Sequence, residues 1–153
     1  GAMVLDAFAG SGALAFEALS RGAAAAVLGE RNGAALRAIE ANAAALGYGR
    51  DRARIARGDV LGHGFPAPPQ GAAFDLVFLD PPYAVAPADV LGLAARAAEG
   101  GLLAPDVLVS YEHDAAANDV VDAWLAGDAA SFSLRKRRTF GSTVIDLIER
   151  EER

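Results

Sequence analysis

Apolar and polar positions alternate along this chain in a rhythm of short buried strands and amphipathic helices. Met3-Val4-Leu5-Asp6-Ala7-Phe8 is almost wholly apolar and reads as a buried strand. Ala13 to Ser20 is a run of good helix formers, closed by Arg21 and Gly22. Ala25 to Glu30 reads as a second strand. Asn32 can cap the next helix, where Leu36, Ile39, Ala43 and Leu46 recur at helical spacing before Gly47 stops it. Arg52 to Arg57 alternates arginine with Ala and Ile, the period of a third strand. Gly62 to Ala73 is rich in Gly and Pro and reads as loop.

The second half repeats the rhythm. Phe74-Asp75-Leu76-Val77-Phe78-Leu79 has the near-continuous apolar character of a central parallel strand buried on both faces. A helix over Pro87 to Glu99 has proline at its start and Gly100-Gly101 after it. Val107 to Tyr111 predicts a fifth strand and Asn118 to Leu125 a short helix. Ser131 to Arg138 and Thr143 to Ile148, around Phe140-Gly141-Ser142, predict an antiparallel pair. The fold class that follows is α/β: a doubly wound, mostly parallel sheet with a C-terminal antiparallel hairpin. Ligands in such sheets bind beyond the carboxyl ends of the strands, near the switch in strand order. The loops after Asp6, Glu30, Asp59 and Asp80 therefore matter most.

A length of 153 residues fits a single domain over 1–153. The first strand opens after only two residues, so sequence missing upstream is expected. The chain has no cysteine, which excludes disulfides, thiolate metal sites and a cysteine nucleophile. His63 and His113 have no metal-ligand company, so no metal site is expected. No apolar run approaches the roughly 20 residues of a membrane span, and no signal peptide opens the chain. A cytoplasmic monomer without membrane contact is the expectation.

The net charge of −6 argues against a nucleic-acid partner when taken alone. Its distribution qualifies that. Asp106 to Asp128 holds acids and no Lys or Arg, whereas Arg135-Lys136-Arg137-Arg138 is basic. That run reads either as a strand with one solvated face or as part of an RNA footprint, because alternate residues of a strand face opposite ways. Trp124 reads as a packing residue and Glu17 as a helix-face residue close to Arg21.

Two constellations carry chemistry. In Asp6-Ala7-Phe8-Ala9-Gly10-Ser11-Gly12 the glycines let the backbone approach a ligand and leave helix N–H groups facing it. Gly10 to Ala15 also matches a dinucleotide fingerprint with alanine in the third slot, and Glu30 lies where a ribose-binding acid belongs. Asp6 shifts the balance: a carboxylate just before the loop repels a pyrophosphate and suits an ammonium or sulfonium ligand. That favours S-adenosylmethionine over NAD. Under this reading the segment with Asp6, Phe8, Gly10, Ser11 and Gly12 holds the amino-acid end. Glu30, with Arg31 beside it, accepts from the ribose hydroxyls. Asp59 accepts from the adenine amine with Val60 alongside, although Gly58-Asp59 also suits a plain capping turn.

The second constellation, Asp80-Pro81-Pro82-Tyr83, is more specific. Two prolines stiffen the backbone and restrict the aspartate before them. Lacking N–H groups, Pro81 and Pro82 present carbonyl acceptors without competing donors. Asp80 and the Pro81 carbonyl can grip an exocyclic amine from two sides, and Tyr83 offers a ring on which a base can stack.

With these residues the chain resembles the class I methyltransferases that carry Asp/Asn-Pro-Pro-Tyr and methylate amino nitrogens. Within them it is similar to the RsmD-type 16S ribosomal-RNA guanine-N2 methyltransferases. The resemblance rests on Val4 to Leu14, on Phe16-Glu17-Ala18-Leu19-Ser20-Arg21-Gly22-Ala23, and on Phe74 to Tyr83. Asn42 and Arg138-Thr139-Phe140-Gly141-Ser142-Thr143 also fit it. It implies a seven-stranded methyltransferase sheet, S-adenosylmethionine as cofactor, and ribosomal RNA or the small ribosomal subunit as partner. It implies Asp80, Pro81, Pro82 and Tyr83 as the catalytic stretch. The family's basic N-terminal segment, with its Arg-Pro-Thr motif and a helix, does not match anything in the 153 residues, so weaker RNA contact is expected. Adenine-N6 of DNA and glutamine-N5 of proteins are alternative targets of similar tetrapeptides. A non-catalytic RNA-binding module and an NAD-dependent oxidoreductase are readings of other classes.

Overall fold

In a computed structural model, which describes residues 1–127 and 131–151, seven strands form one sheet flanked by helices. Asp128 at the end of the acidic stretch, and the last two residues of the expected domain, lie outside the described residues. The elements follow in order: β1 (Met3–Asp6), α1 (Ala13–Ser20), β2 (Ala25–Glu30), α2 (Gly33–Leu46), β3 (Ala53–Arg57), α3 (Val60–His63), β4 (Phe74–Leu79), α4 (Pro87–Glu99), β5 (Leu103–Asp114), α5 (Asn118–Ala126), β6 (Phe132–Phe140) and β7 (Thr143–Arg150).

The strand order is β3-β2-β1-β4-β5-β7-β6. β1 to β5 are parallel, while β7 runs antiparallel to both β5 and β6. The chain winds outward from β1 to β3, then returns to lay β4 against the other side of β1. The switch in strand order thus lies between β1 and β4, with the carboxyl ends of both opening onto one crevice.

Local chemistry explains the element ends. The Asn32 side chain accepts the Ala35 N–H at 3.0 Å and starts α2, and Gly47 ends it at φ 78°, a left-handed backbone that glycine adopts without a Cβ penalty. Met3 N–H donates to Asp75 Oδ2 at 2.8 Å, pinning the start of β1 to β4.

One face of the sheet is sealed by α4 and α5. Leu5, Val77, Val109 and Ile148 meet Val90, Leu93, Ala94 and Val121 there in the larger core. The other face carries α1 and α2 over the β1–β3 half, where Val4, Leu28, Phe16 and Ile39 form a second core. Beyond that half, Leu76, Phe78, Leu108, Ile145 and Leu147 point to the same face and stay half-buried. No helix among the described residues is long and apolar enough to cross a membrane.

The expected elements are all present, with several shifted ends. β1 stops at Asp6 instead of Phe8, because Ala7 and Phe8 already turn into the glycine loop. β3 begins at Ala53, since the Arg52 N–H closes a turn on the Gly49 carbonyl at 3.1 Å; the Arg52 side chain donates to the Ala23 and Ala24 carbonyls at 3.1 and 3.0 Å. β5 is the largest departure, running 12 residues where Val107 to Tyr111 was expected. Its polar end, Glu112-His113-Asp114, pairs with Ile145, Val144 and Thr143 of β7. A neighbouring strand, not local propensity, makes that end extended. Two short helical turns also appear: α3 runs across the start of the expected loop, and Pro69–Gly71 lies inside it.

Candidate active site

At the carboxyl ends of the strands, around the switch between β1 and β4, lies a pocket of about 570 Å³. That is an ordinary size for a small-molecule site. One end is formed by Glu30, Arg31, Asp59 and Val60, the middle by Phe8 and Gly10, and the other end by Asp80-Pro81-Pro82-Tyr83. Three loops and a tetrapeptide far apart in sequence thus share one cavity.

Glu30 closes β2 with both carboxylate oxygens engaged. Oε1 accepts the Gly10 N–H at 2.9 Å, and Oε2 accepts the Arg31 and Asn32 N–H groups, each at 2.9 Å. These bonds fix the carboxylate on the pocket wall and clamp the glycine loop to β2. A carboxylate offers about four acceptor positions, so capacity for ligand hydroxyls remains. Asp59 caps α3 by accepting the Leu61 N–H at 3.0 Å. Its second oxygen lies 3.5 Å from the Arg31 guanidinium. The capping turn read from Gly58-Asp59 is therefore present, and the same side chain also lines the pocket.

Not every expected site residue reaches the cavity. Asp6 is 1% exposed and lies under the glycine loop instead of on the pocket wall. Burial pushes its carboxyl up to about 7; N–H groups of Ala15 and Phe8 favour the charge, while Asp80 and Glu30 repel it. One oxygen of Asp6 is buried with no hydrogen-bond partner. Gly12 too is buried, at φ 86°, and a Cβ there would stand 2.5 Å from Phe16 Cε2 and 3.0 Å from Leu28 Cδ2. Its glycine serves the left-handed start of α1 and the packing of Phe16. Ser11 is exposed, and its carbonyl accepts from Asn42 Nδ2 at 3.0 Å, which gives Asn42 a loop-holding task. Gly10, by contrast, lines the pocket at φ 58°.

At the opposite end, Asp80 follows the last residue of β4. Leu79 pairs with Tyr111 of β5, so the next residues, Asp80 and Glu112, stand side by side on the same face. Both line the pocket. The hydrogen bond that the protonated Glu112 carboxyl donates to Asp80, then burial and the Asp80 charge, hold the Glu112 carboxyl up at about 7. Glu112 thus keeps its proton up to near neutrality. Glu112 was missed in the sequence because it follows the apolar stretch taken as the whole fifth strand. Tyr83 is 62% exposed at the mouth, and its hydroxyl lies 3.5 Å from Thr143 Oγ1 at the start of β7.

Behind the tetrapeptide sits a buried ionic cluster that the sequence reading also passed over. His113 Nε2 lies 2.6 Å from Asp146 Oδ2, and Nδ1 lies 2.8 Å from the Asp114 carbonyl. Arg137 bridges Asp146 to Asp122, with Nε 2.7 Å from Asp146 Oδ1 and an amino group 2.9 Å from Asp122 Oδ1. Burial opposes the His113 charge, but acceptors on both ring nitrogens outweigh it and raise its pKa. Burial likewise opposes the Asp146 charge, and the His113 and Arg137 hydrogen bonds overcome it, holding that carboxyl below its ordinary range. His113 also borders a small cavity beside Pro81, Pro82 and Tyr83, so the cluster backs the motif.

Residues 1–149 match the family model described as "Conserved hypothetical protein 95". The chain belongs to that family. It is 33% identical, over 154 residues, to the Escherichia coli protein named Ribosomal RNA small subunit methyltransferase D; the match covers 98% of this chain and 69% of that one. The family is thus the RsmD-type class I methyltransferase family that the motifs resemble. A solved Streptococcus pyogenes structure described as a conserved hypothetical protein superposes with a TM-score of 0.76 at 33% identity, covering 98% of this chain and 86% of that one. A ribosomal protein L11 methylase from Lactobacillus delbrueckii shares the fold, with a TM-score of 0.72 at 21% identity, over 99% of this chain and 70% of that one.

The methyltransferases of this fold use S-adenosylmethionine, and the pocket's donor set fits it. Glu30, Asp59, Asp80 and Glu112 line the cavity, against one cation, Arg31. Such walls favour a cationic ligand with hydroxyls to donate and oppose a pyrophosphate.

Proposed function

We propose that this protein transfers a methyl group from S-adenosylmethionine to the exocyclic N2 of a guanine in 16S ribosomal RNA. The observation that carries the reading is that Asp80-Pro81-Pro82-Tyr83 forms one end of the pocket whose other end is Glu30 and Asp59. An amine held by the tetrapeptide would face a ligand held by the acids. The name of the Escherichia coli relative supports ribosomal RNA as the substrate class, and the RsmD resemblance supports guanine N2.

Glu30 would accept from the ribose hydroxyls, and Asp59 with Val60 would receive the adenine. Asp6, from beneath, would hold Phe8, Gly10, Ser11 and Gly12 in shape. The cofactor supplies an electrophilic methyl on a sulfonium. Guanine N2 is a weak nucleophile because its lone pair is delocalised into the ring. Asp80 and the Pro81 carbonyl accept its two hydrogens and so turn the lone pair toward the methyl donor. Pro82 keeps the turn rigid, and Tyr83 stacks on the base. Positioning supplies most of the acceleration. As nitrogen gains the methyl it sheds a proton, and the Asp80–Glu112 pair is placed to take it. The base must leave its stack to reach this pocket. A cytoplasmic monomer acting on the small subunit completes the proposal.

The test is a mass map of methylated nucleotides in 16S ribosomal RNA from cells with and without the full-length gene. Loss of one N2-methylguanine, restored by the wild-type gene and not by Asp80→Ala, is the expected result. An unchanged map would sink the proposal. Asp80→Ala should lose on the order of 100-fold in turnover while calorimetry shows S-adenosylhomocysteine binding almost unchanged.

A further inference from the structure

The basic run at Arg135-Lys136-Arg137-Arg138 is divided by the sheet into two parts with different destinations. Arg137 turns to the helix-covered face, where Asp146 and Asp122 hold it. Arg138 pairs across β7 with Ile145, which pairs with Glu112 of β5, so Arg138 shares a face with Glu112 and Asp80. Lys136 pairs with Leu147, opposite Ser110, one row further down that same face. A register shift between Leu134 and Lys136 inserts Arg135 at the edge. Arg135, Lys136 and Arg138 are all exposed, and none makes an ion pair among the described residues.

The strip continues to the catalytic motif through two aromatic rings. Phe140 is 58% exposed on the alternation shared with Arg138 and Lys136, and it pairs with Thr143. Thr143 in turn meets the Tyr83 hydroxyl. Tyr83, Thr143, Phe140, Arg138 and Lys136 therefore form a continuous path from the pocket mouth to the outer edge of the sheet. Three strand spacings separate Asp80 from Arg138, roughly 14 Å. Neither α1 nor α2 reaches this part of the face, which lies beyond the β1–β3 half they cover. Exposed rings for base stacking beside a row of cations are the two elements that single-stranded nucleic acid requires. In a chain whose net charge is −6 overall, this local sign reversal is a means of orientation as well as attraction.

We propose that the outward face of β6, with Phe140 at its tip, is the track along which the single-stranded RNA flanking the target nucleotide is held. Lys136 and Arg138 would contact its phosphates, and Phe140 would stack on a neighbouring base. The proposal rests on the methyl-transfer reading for the position of the target nucleotide, and it adds the surface that delivers it.

Two measurements on the full-length protein separate the proposals. The first is binding of labelled 16S ribosomal-RNA fragments, by fluorescence anisotropy across a salt series, with S-adenosylhomocysteine present. Single-strand binding weakens with salt at about 0.7 log units per phosphate contact. The Lys136→Ala/Arg138→Ala double variant should thus flatten the slope by about 1.4. Phe140→Ala should weaken binding severalfold and leave the slope alone. Arg96→Ala, on α4 across the sheet, should match wild type. The second measurement is methyl transfer, where the double variant should raise KM for RNA on the order of tenfold and keep kcat and cofactor affinity. An unchanged slope and KM in the double variant overturns the track, as does an equal loss in Arg96→Ala. Strip-dependent RNA binding without guanine-N2 transfer would leave the track standing and refute the proposed reaction. Transfer indifferent to the strip would do the reverse. Failure of wild type to bind RNA would refute both.

Discussion

Glu112 shows how a neighbour sets a side chain's chemistry. Alone on a strand end it would be an ordinary carboxylate, ionised well below neutrality. Beside Asp80 it titrates at about 7. Below that pH Glu112 is protonated and cannot accept the proton that the amine releases. The rate of methyl transfer should therefore rise through about pH 7. Glu112→Gln should remove that inflection while leaving cofactor affinity unchanged, as checked by kcat against pH. A wild-type profile flat from pH 6 to 8 would refute the role. Tyr83 is tested by size: Tyr83→Phe should keep most activity, whereas Tyr83→Ala should lose about 1–3 kcal/mol of base stacking, seen chiefly in KM. Activity that falls equally in both would assign the work to the hydroxyl and its Thr143 contact instead.

At the scale of elements, two contacts hold the site's scaffold. The hairpin of β6 and β7 is locked to β5 and α5 by His113, Asp146, Arg137 and Asp122. Removing one partner of a buried pair typically costs about 3–5 kcal/mol, since the other charge stays buried and unmatched. Asp146→Asn should lower the thermal midpoint by about 10 °C, at about 2–4 °C per kcal/mol in a domain of this size. The pH dependence follows from the directions of the shifts. The Asp146 contribution is present above the ordinary aspartate pKa and is lost as pH falls through the depressed folded value. The His113 contribution is present below the ordinary histidine pKa and is lost as pH rises through the raised folded value. The destabilisation caused by His113→Gln should hence be largest in mildly acid buffer and shrink at alkaline pH. A midpoint difference that does not vary with pH would mean that packing, not charge, is what His113 contributes.

The glycine loop supplies the second contact. Gly12→Ala should be the worst loop substitution, because it adds a Cβ 2.5 Å from the Phe16 ring to a backbone at φ 86°. Gly10→Ala meets nothing within 4 Å and should cost only the left-handed penalty, about 1–2 kcal/mol. Denaturant melts of the two variants rank them; equal destabilisation would contradict the packing role of Gly12.

On the scale of the whole molecule, charge is sorted by face and by end. Acids surround the pocket at the β1–β4 switch, while the exposed Lys136 and Arg138 line the far edge of the same face. Cofactor and polyanion would thus meet at Asp80 from opposite sides. S-adenosylhomocysteine should bind in calorimetry and NAD should not, since its pyrophosphate would face four carboxylates and one arginine. Binding of NAD alone would reverse the assignment.

Periodicity was enough for the order of elements and for the two motifs, because the apolar run of Phe74 to Leu79 marks a central strand and prolines and glycines punctuate locally; it overstated the burial of that strand, whose Leu76 and Phe78 stay half-buried on the face the first two helices leave uncovered. It also placed Glu30, Asp59, Asp80 and Tyr83 at strand ends, where α/β sheets bind ligands. It could not tell a residue on the pocket wall from one beneath it. Asp6 and Gly12 carry the same motif as Gly10, yet they lie buried against the loop and Phe16 because their orientation depends on packing across the chain. Glu112 acquires its role only from the register of β4 on β5, a contact 32 residues apart in sequence. The basic run was ambiguous for the same reason. Strand alternation separates Arg137 from Lys136 and Arg138, but which side meets Asp146 and which meets solvent is decided by the pairing of β7 between β5 and β6.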